Sequence, residues 1–116
     1  METVEDLKQN FVNLVLAHNL AFDSGNSSKA NHLHNKIVAL YRKIQQTNHV
    51  DLFKELMSHQ DEGVRVWASG FCLLLWPEQA QQTLKELTKS TNIGIALAAK
   101  ATLQFYSNKE WDKLVI

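Results

Sequence analysis

The side chains able to do chemistry here are five histidines, one cysteine and a group of carboxylates around an arginine. His32 and His34 stand two apart in a helical stretch, where they point roughly 200° apart and cannot share an ion. His18 falls on an apolar stripe, a place for a packed histidine with one hydrogen-bond partner. Glu55 and His59 sit at i, i+4, a bare pair that suits a solvated helix face. No four ligands occur at zinc-site spacing, so neither metal nor cofactor is expected. Cys72, between Phe71 and Leu73, reads as a packed thiol and not a nucleophile. Glycine-rich phosphate loops and nucleophile elbows are absent from the sequence, and no enzyme is expected.

What remains points to binding. Asp51, Glu55, Asp61 and Glu62, set against Lys54 alone, form a local acidic patch suited to a basic protein. Arg65, Ser69, Cys72 and Trp76 follow i, i+4, i+7 and i+11 along one helix edge, and arginine and tryptophan dominate interface energetics. Candidate partner-binding residues are therefore Asp51, Glu55, Asp61, Glu62, Arg65, Ser69 and Trp76. The competing reading is structural: Arg65 pairs with Asp61 one turn earlier, and Trp76 packs under Pro77.

Composition narrows the class. The 116 residues carry 12 basic and 12 acidic side chains, which leaves no field to steer the protein onto nucleic acid or an anionic membrane. A stripe of Lys29, His32, Lys36 and Lys43 is better explained as a solvated face than as a nucleic-acid footprint. One cysteine excludes an internal disulfide and fits a reducing compartment. The acidic start, Met1-Glu-Thr-Val-Glu-Asp, argues against a secretory signal, and no apolar run reaches membrane-span length. The expectation is a cytoplasmic, monomeric domain. One proline and four glycines favour helices over strands.

Helical spacing organises the chain. Thr3 caps a first helix whose stripe is Val4, Leu7, Phe11, Leu14, Val15, His18 and Phe22. The turn cluster 23–28 ends it, and Ser27 or Ser28 caps a second helix reaching about Thr47, with core positions Ala30, Leu33, Ile37, Leu40, Tyr41 and Ile44. A short third helix, Val50 to Ser58, buries Leu52, Phe53, Leu56 and Met57. Next comes a helix from Asp61 to Trp76, apolar on both sides: Val64, Trp67, Ala68, Phe71, Leu74 and Leu75 on one, Val66 and Leu73 on the other. Such a helix needs neighbours on both sides. Pro77 starts a fifth helix that buries Ala80, Leu84 and Leu87. A sixth runs from Ile93 to Tyr106, and a closing turn carries Trp111.

A shift of 31 residues places Phe53-Lys-Glu-Leu56 on Leu84-Lys-Glu-Leu87, Asp61 on Asn92, Gly63 on Gly94, Val64 on Ile95, Val66 on Leu97 and Ala68 on Ala99. Asp61 and Asn92 fit as N-caps, the glycines as points of close helix approach, and the alanines as small core positions. Repeated helix pairs of this length predict an all-α, short HEAT-like α-solenoid of about six helices plus a C-terminal helical turn. The expected organisation is a single domain, 1–116, with 1–47 as a divergent capping pair and 51–76 and 79–106 as the repeat units.

The run His59-Gln-Asp-Glu-Gly-Val64-Arg65-Val-Trp67-Ala68, followed by Trp76-Pro77-Glu78-Gln-Ala80 and Leu84-x-x-Leu87, resembles a family of small bacterial HEAT-like proteins catalogued mainly as of unknown function. The resemblance spans essentially the whole chain. Glu62-Gly63 stands where HEAT repeats commonly have proline. Proteins similar to this family include immunity proteins of contact-dependent growth inhibition systems. The resemblance implies a protein that binds a cognate toxin one-to-one and occludes its active site, the toxin being basic as many nucleases are. A generic HEAT-like adaptor is the alternative; a small enzyme or nucleic-acid-processing module is a more distant one.

Overall fold

Local capping chemistry sets the helix starts. The Thr3 hydroxyl accepts the Asp6 N–H at 3.1 Å while the Asp6 carboxylate accepts the Thr3 N–H at 3.0 Å, a reciprocal box that opens α1, Val4–Asp23. Asn26, and neither Ser27 nor Ser28, caps α2, Ser27–Gln46: its Oδ1 accepts the Lys29 N–H at 3.1 Å. Asp61 caps α4, Glu62–Cys72, and Asn92 caps α6, Ile93–Ser107. Between them lie α3, Asp51–Leu56, and α5, Pro77–Leu87. The computed structural model describes residues 2–110; Trp111 lies outside the described residues. Those residues form six helices and no strand, so the chain is all-α, and none of the helices is long and apolar enough to cross a membrane.

Three helices close alike. After α1, the Asn26 N–H donates to Ala21 O and the Gly25 N–H to Phe22 O; after α2, His49 and Asn48 donate to Ile44 and Gln45; after α6, Glu110 and Lys109 donate to Phe105 and Tyr106. Each closure needs a left-handed residue, and Gly25, Asn48 and Lys109 take it at φ 78°, 62° and 59°. Only Gly25 pays no Cβ penalty for doing so.

The chain divides into two compact units, Met1–Leu52 and Phe53–Ile116, with the boundary inside α3. In the first, α1 packs along α2. Leu7, Phe11, Val12, Val15 and Ala21 are buried on α1, and Ala30, Leu33, Ile37, Tyr41 and Ile44 on α2. Two expected stripe residues fall outside this core: Val4 is exposed, and Phe22 is 63% exposed, its ring stacked on His18. Near the tight turn the helices meet through Ala21, Ala30 and Leu33, leaving Phe22 about 100° round the helix and outside the contact.

In the second unit α4 packs on α5 and α6, and α5 on α6. Phe53, Leu56 and Met57 are buried as expected, as is Leu52 at the end of the first unit, and Phe53 meets Phe71 edge-on at 5.2 Å between centroids. The long α4 is corrected: it ends at Cys72, and residues 73–75 form a turn that leaves Leu74 and Leu75 about half exposed. The cause is Pro77, which holds Trp76 out of helical geometry at φ −133°, ψ 68°, so the chain unwinds one turn early.

The 31-residue shift holds in backbone detail. Met57, Ser58 and His59 N–H donate to Phe53, Glu55 and Leu56; Thr88, Lys89 and Ser90 N–H donate to Leu84, Glu86 and Leu87. Both caps work alike, Asp61 to Val64 at 3.0 Å and Asn92 to Ile95 at 3.1 Å, and Ala68 and Ala99 are both fully buried. The glycines part company. Gly63 is buried, but Gly94 is exposed, so close helix approach does not account for Gly94.

Candidate functional site

The expected edge of α4 is mostly interior. Ser69 and Cys72 are fully buried, Arg65 is half-buried, and Trp76 lies beyond the helix end. Burial, opposed by the nearby Lys54 ammonium, pushes the Cys72 thiol up to about 12, which keeps it protonated at neutral pH. Ser69 cannot touch a partner from this position, and its hydroxyl has no hydrogen-bond partner among the described residues.

The acidic residues separate by role. Asp51 and Glu55 lie one turn apart on α3, both exposed, with Asp51 in the first unit and the other six candidates in the second. Asp61 is spent on its cap and Glu62 accepts the Ser90 hydroxyl at 2.9 Å. Arg65 reaches Glu62 and not Asp61, at a long 3.9 Å between Nη2 and Oε2. Its Nε is buried without a hydrogen-bond partner among the described residues. Trp76 is half-buried and carries the Lys54 ammonium 5.3 Å from its ring centroid, a cation–π contact.

Glu62 and Arg65 open onto a cleft of about 380 Å³ whose other lining includes Thr83 and Glu86 of α5 and the buried Met57 and Leu87. Sequence reasoning did not select Thr83 or Glu86. The 31-residue shift carried the signal for Glu86, because it is the counterpart of Glu55, already a candidate. The exposed carboxylate of Glu86 has a loose bond from Gln82 Nε2 at 3.3 Å.

The remaining candidates for chemistry are dispersed. His18 and His34 face each other in the first unit, ring centroids 6.2 Å apart, and burial followed by His18 holds the His34 imidazole below its ordinary value. No group of three or more histidine, cysteine or carboxylate side chains among the described residues is placed to hold a metal. Lys29, His32, Lys36 and Lys43 are all exposed, and Lys43 pairs with Glu2.

An exposed apolar surface lies on α6. Ile93 is 75% and Leu97 58% exposed, while Ala99 is its one buried residue among those described. Ile93, Leu97 and Ala101 lie on the face opposite Ala99, with Gly94 and Ala98 on one flank and the exposed Lys100 on the other.

No protein-family model matches the chain, and no curated protein sequence matches it. The fold is similar to the crystal structure of the protein RPA1889 from Rhodopseudomonas palustris CGA009, with a TM-score of 0.84, 18% identity, and coverage of 93% of this chain and 91% of that one. At that identity the likeness carries the fold alone.

Proposed function

We propose that the chain is a protein-binding module of short HEAT-like solenoid build, acting as an immunity protein that binds a cognate toxin domain and occludes its active site. The observation that carries the binding reading is α6, whose sequence is the most apolar of the helices and whose outer face is left open at Ile93 and Leu97. Exposed apolar surface of this kind marks protein contact sites. The duplicated turn and cap bonds 31 residues apart support the repeat reading, in which each helix pair covers its neighbour. Asp51 and Glu55, exposed on α3, favour a basic partner.

The test is co-expression with the protein encoded beside this chain. A toxic neighbour should be neutralised and co-purify one-to-one, and Leu97→Glu should lower protection while leaving the helical spectrum unchanged. A neighbour that is harmless, or whose toxicity is indifferent to this chain, overturns the reading. Asp61 is a poor choice for charge reversal because it caps α4, so loss of binding there would report on folding.

A further inference from the structure

We propose that the cleft between α4 and α5 is a receptor for one arginine side chain of the protein partner. This rests on the protein-binding reading and names the group recognised. Three observations converge. The cleft holds two carboxylates, Glu62 and Glu86, against one guanidinium, Arg65, so it carries an excess negative charge that an incoming cation neutralises. Its apolar lining comes from Met57 and Leu87, each 3% exposed, which suit the three-methylene stem of an arginine. The Arg65–Glu62 ion pair is long, 3.9 Å between Nη2 and Oε2, so Arg65 does not hold that Glu62 oxygen at hydrogen-bond distance and leaves it open to a closer cation.

The volume of about 380 Å³ admits one long side chain with its peptide group and not a helix. An arginine suits a site with two carboxylates better than a lysine because its planar guanidinium presents donors along two edges. Thr83 and Glu86 stand at i, i+3 on α5 and present a hydroxyl and a carboxylate on one face. The Thr83 hydroxyl already donates to Gln79 O at 2.9 Å, which leaves its oxygen as an acceptor for the same guanidinium.

The experiment titrates the full chain with N-acetyl-arginine N-methylamide, followed by backbone amide NMR shifts. The uncharged citrulline analogue is the control. Saturable shifts at Arg65, Thr83 and Leu87 are expected for the arginine amide alone. Glu86→Gln should weaken them about tenfold, while Glu78→Gln, exposed on the first turn of α5, should leave them unchanged. No saturable shifts, equal response to citrulline, or an unaltered Glu86→Gln titration overturns the proposal. The probe needs no toxin: a toxin that binds a chain deaf to arginine sinks the cleft and spares the immunity reading, and the reverse outcome does the opposite.

Discussion

His59 Nδ1 accepts the backbone N–H of Asp61 at 3.0 Å, and Ser90 Oγ, 31 positions on, accepts that of Asn92 at 3.0 Å. An imidazole and a hydroxyl thus hold the same turn, each two residues before an N-cap. The acceptor matters and the side chain's bulk does not. His59→Ser should therefore fold with near-native stability, whereas His59→Ala should lose about 1 kcal/mol in urea unfolding. Equal losses for both variants would remove the bond from the account.

Gly70 lies inside α4, where a Cβ would meet only Thr102 Cγ2, at an ordinary 3.8 Å. Gly70→Ala should raise stability by roughly 0.5–1 kcal/mol through helix propensity and a less free unfolded chain. A fall in the urea midpoint would mean that α4 and α6 approach more closely than this contact indicates.

The Ser69 hydroxyl is fully buried with no hydrogen-bond partner among the described residues. Ser69→Ala should be neutral or stabilising by about 1 kcal/mol, since it removes an uncompensated polar group. It should also leave partner binding untouched. A destabilised variant would reveal a partner for the hydroxyl.

Burial and the facing His18 lower His34 from the ordinary 6.5, so folding favours its neutral form. A depressed value contributes stability that is full above pH 6.5 and lost as pH falls through the folded-state value. Thermal melts should decline below pH 6.5, and His34→Gln should flatten that acid limb. An unchanged limb would place the acid sensitivity elsewhere.

Cys72 runs the opposite way. Its thiol is raised from 9.0 to about 12, so the stability it contributes is complete below pH 9.0 and lost as pH rises toward the folded-state value. At neutral pH the folded protein should resist alkylating reagents and react promptly once unfolded in urea. Fast labelling of the native chain would contradict the burial of α4.

Much of the fold was legible because its causes are local. Thr3, Asp61 and Asn92 cap helices through bonds to the third residue on, and such bonds depend on nothing distant. Pro77 announced the start of α5, and helical spacing identified Leu33, Ile37, Phe53, Leu56, Leu84 and Leu87 as core. The early end of α4 was harder. The same proline fixed where a helix begins but not how many residues the preceding one would give up.

The candidate site was legible in its residue types and not in their employment. Asp61, Glu62, Arg65 and Ser69 share a short stretch, yet one is a cap, one is held by Ser90, one lines a cleft and one is sealed inside. Sequence by itself determined an all-α chain, the caps of α1, α4 and α6 and a duplicated helix pair, because helix periodicity and capping are properties of neighbouring residues. Only the tertiary structure decided that Glu86 and Arg65 line one cleft and that the apolar α6 is exposed at Ile93 and Leu97. Whether an apolar residue is covered depends on which helix lies against it, and that is fixed by packing between elements far apart in the chain.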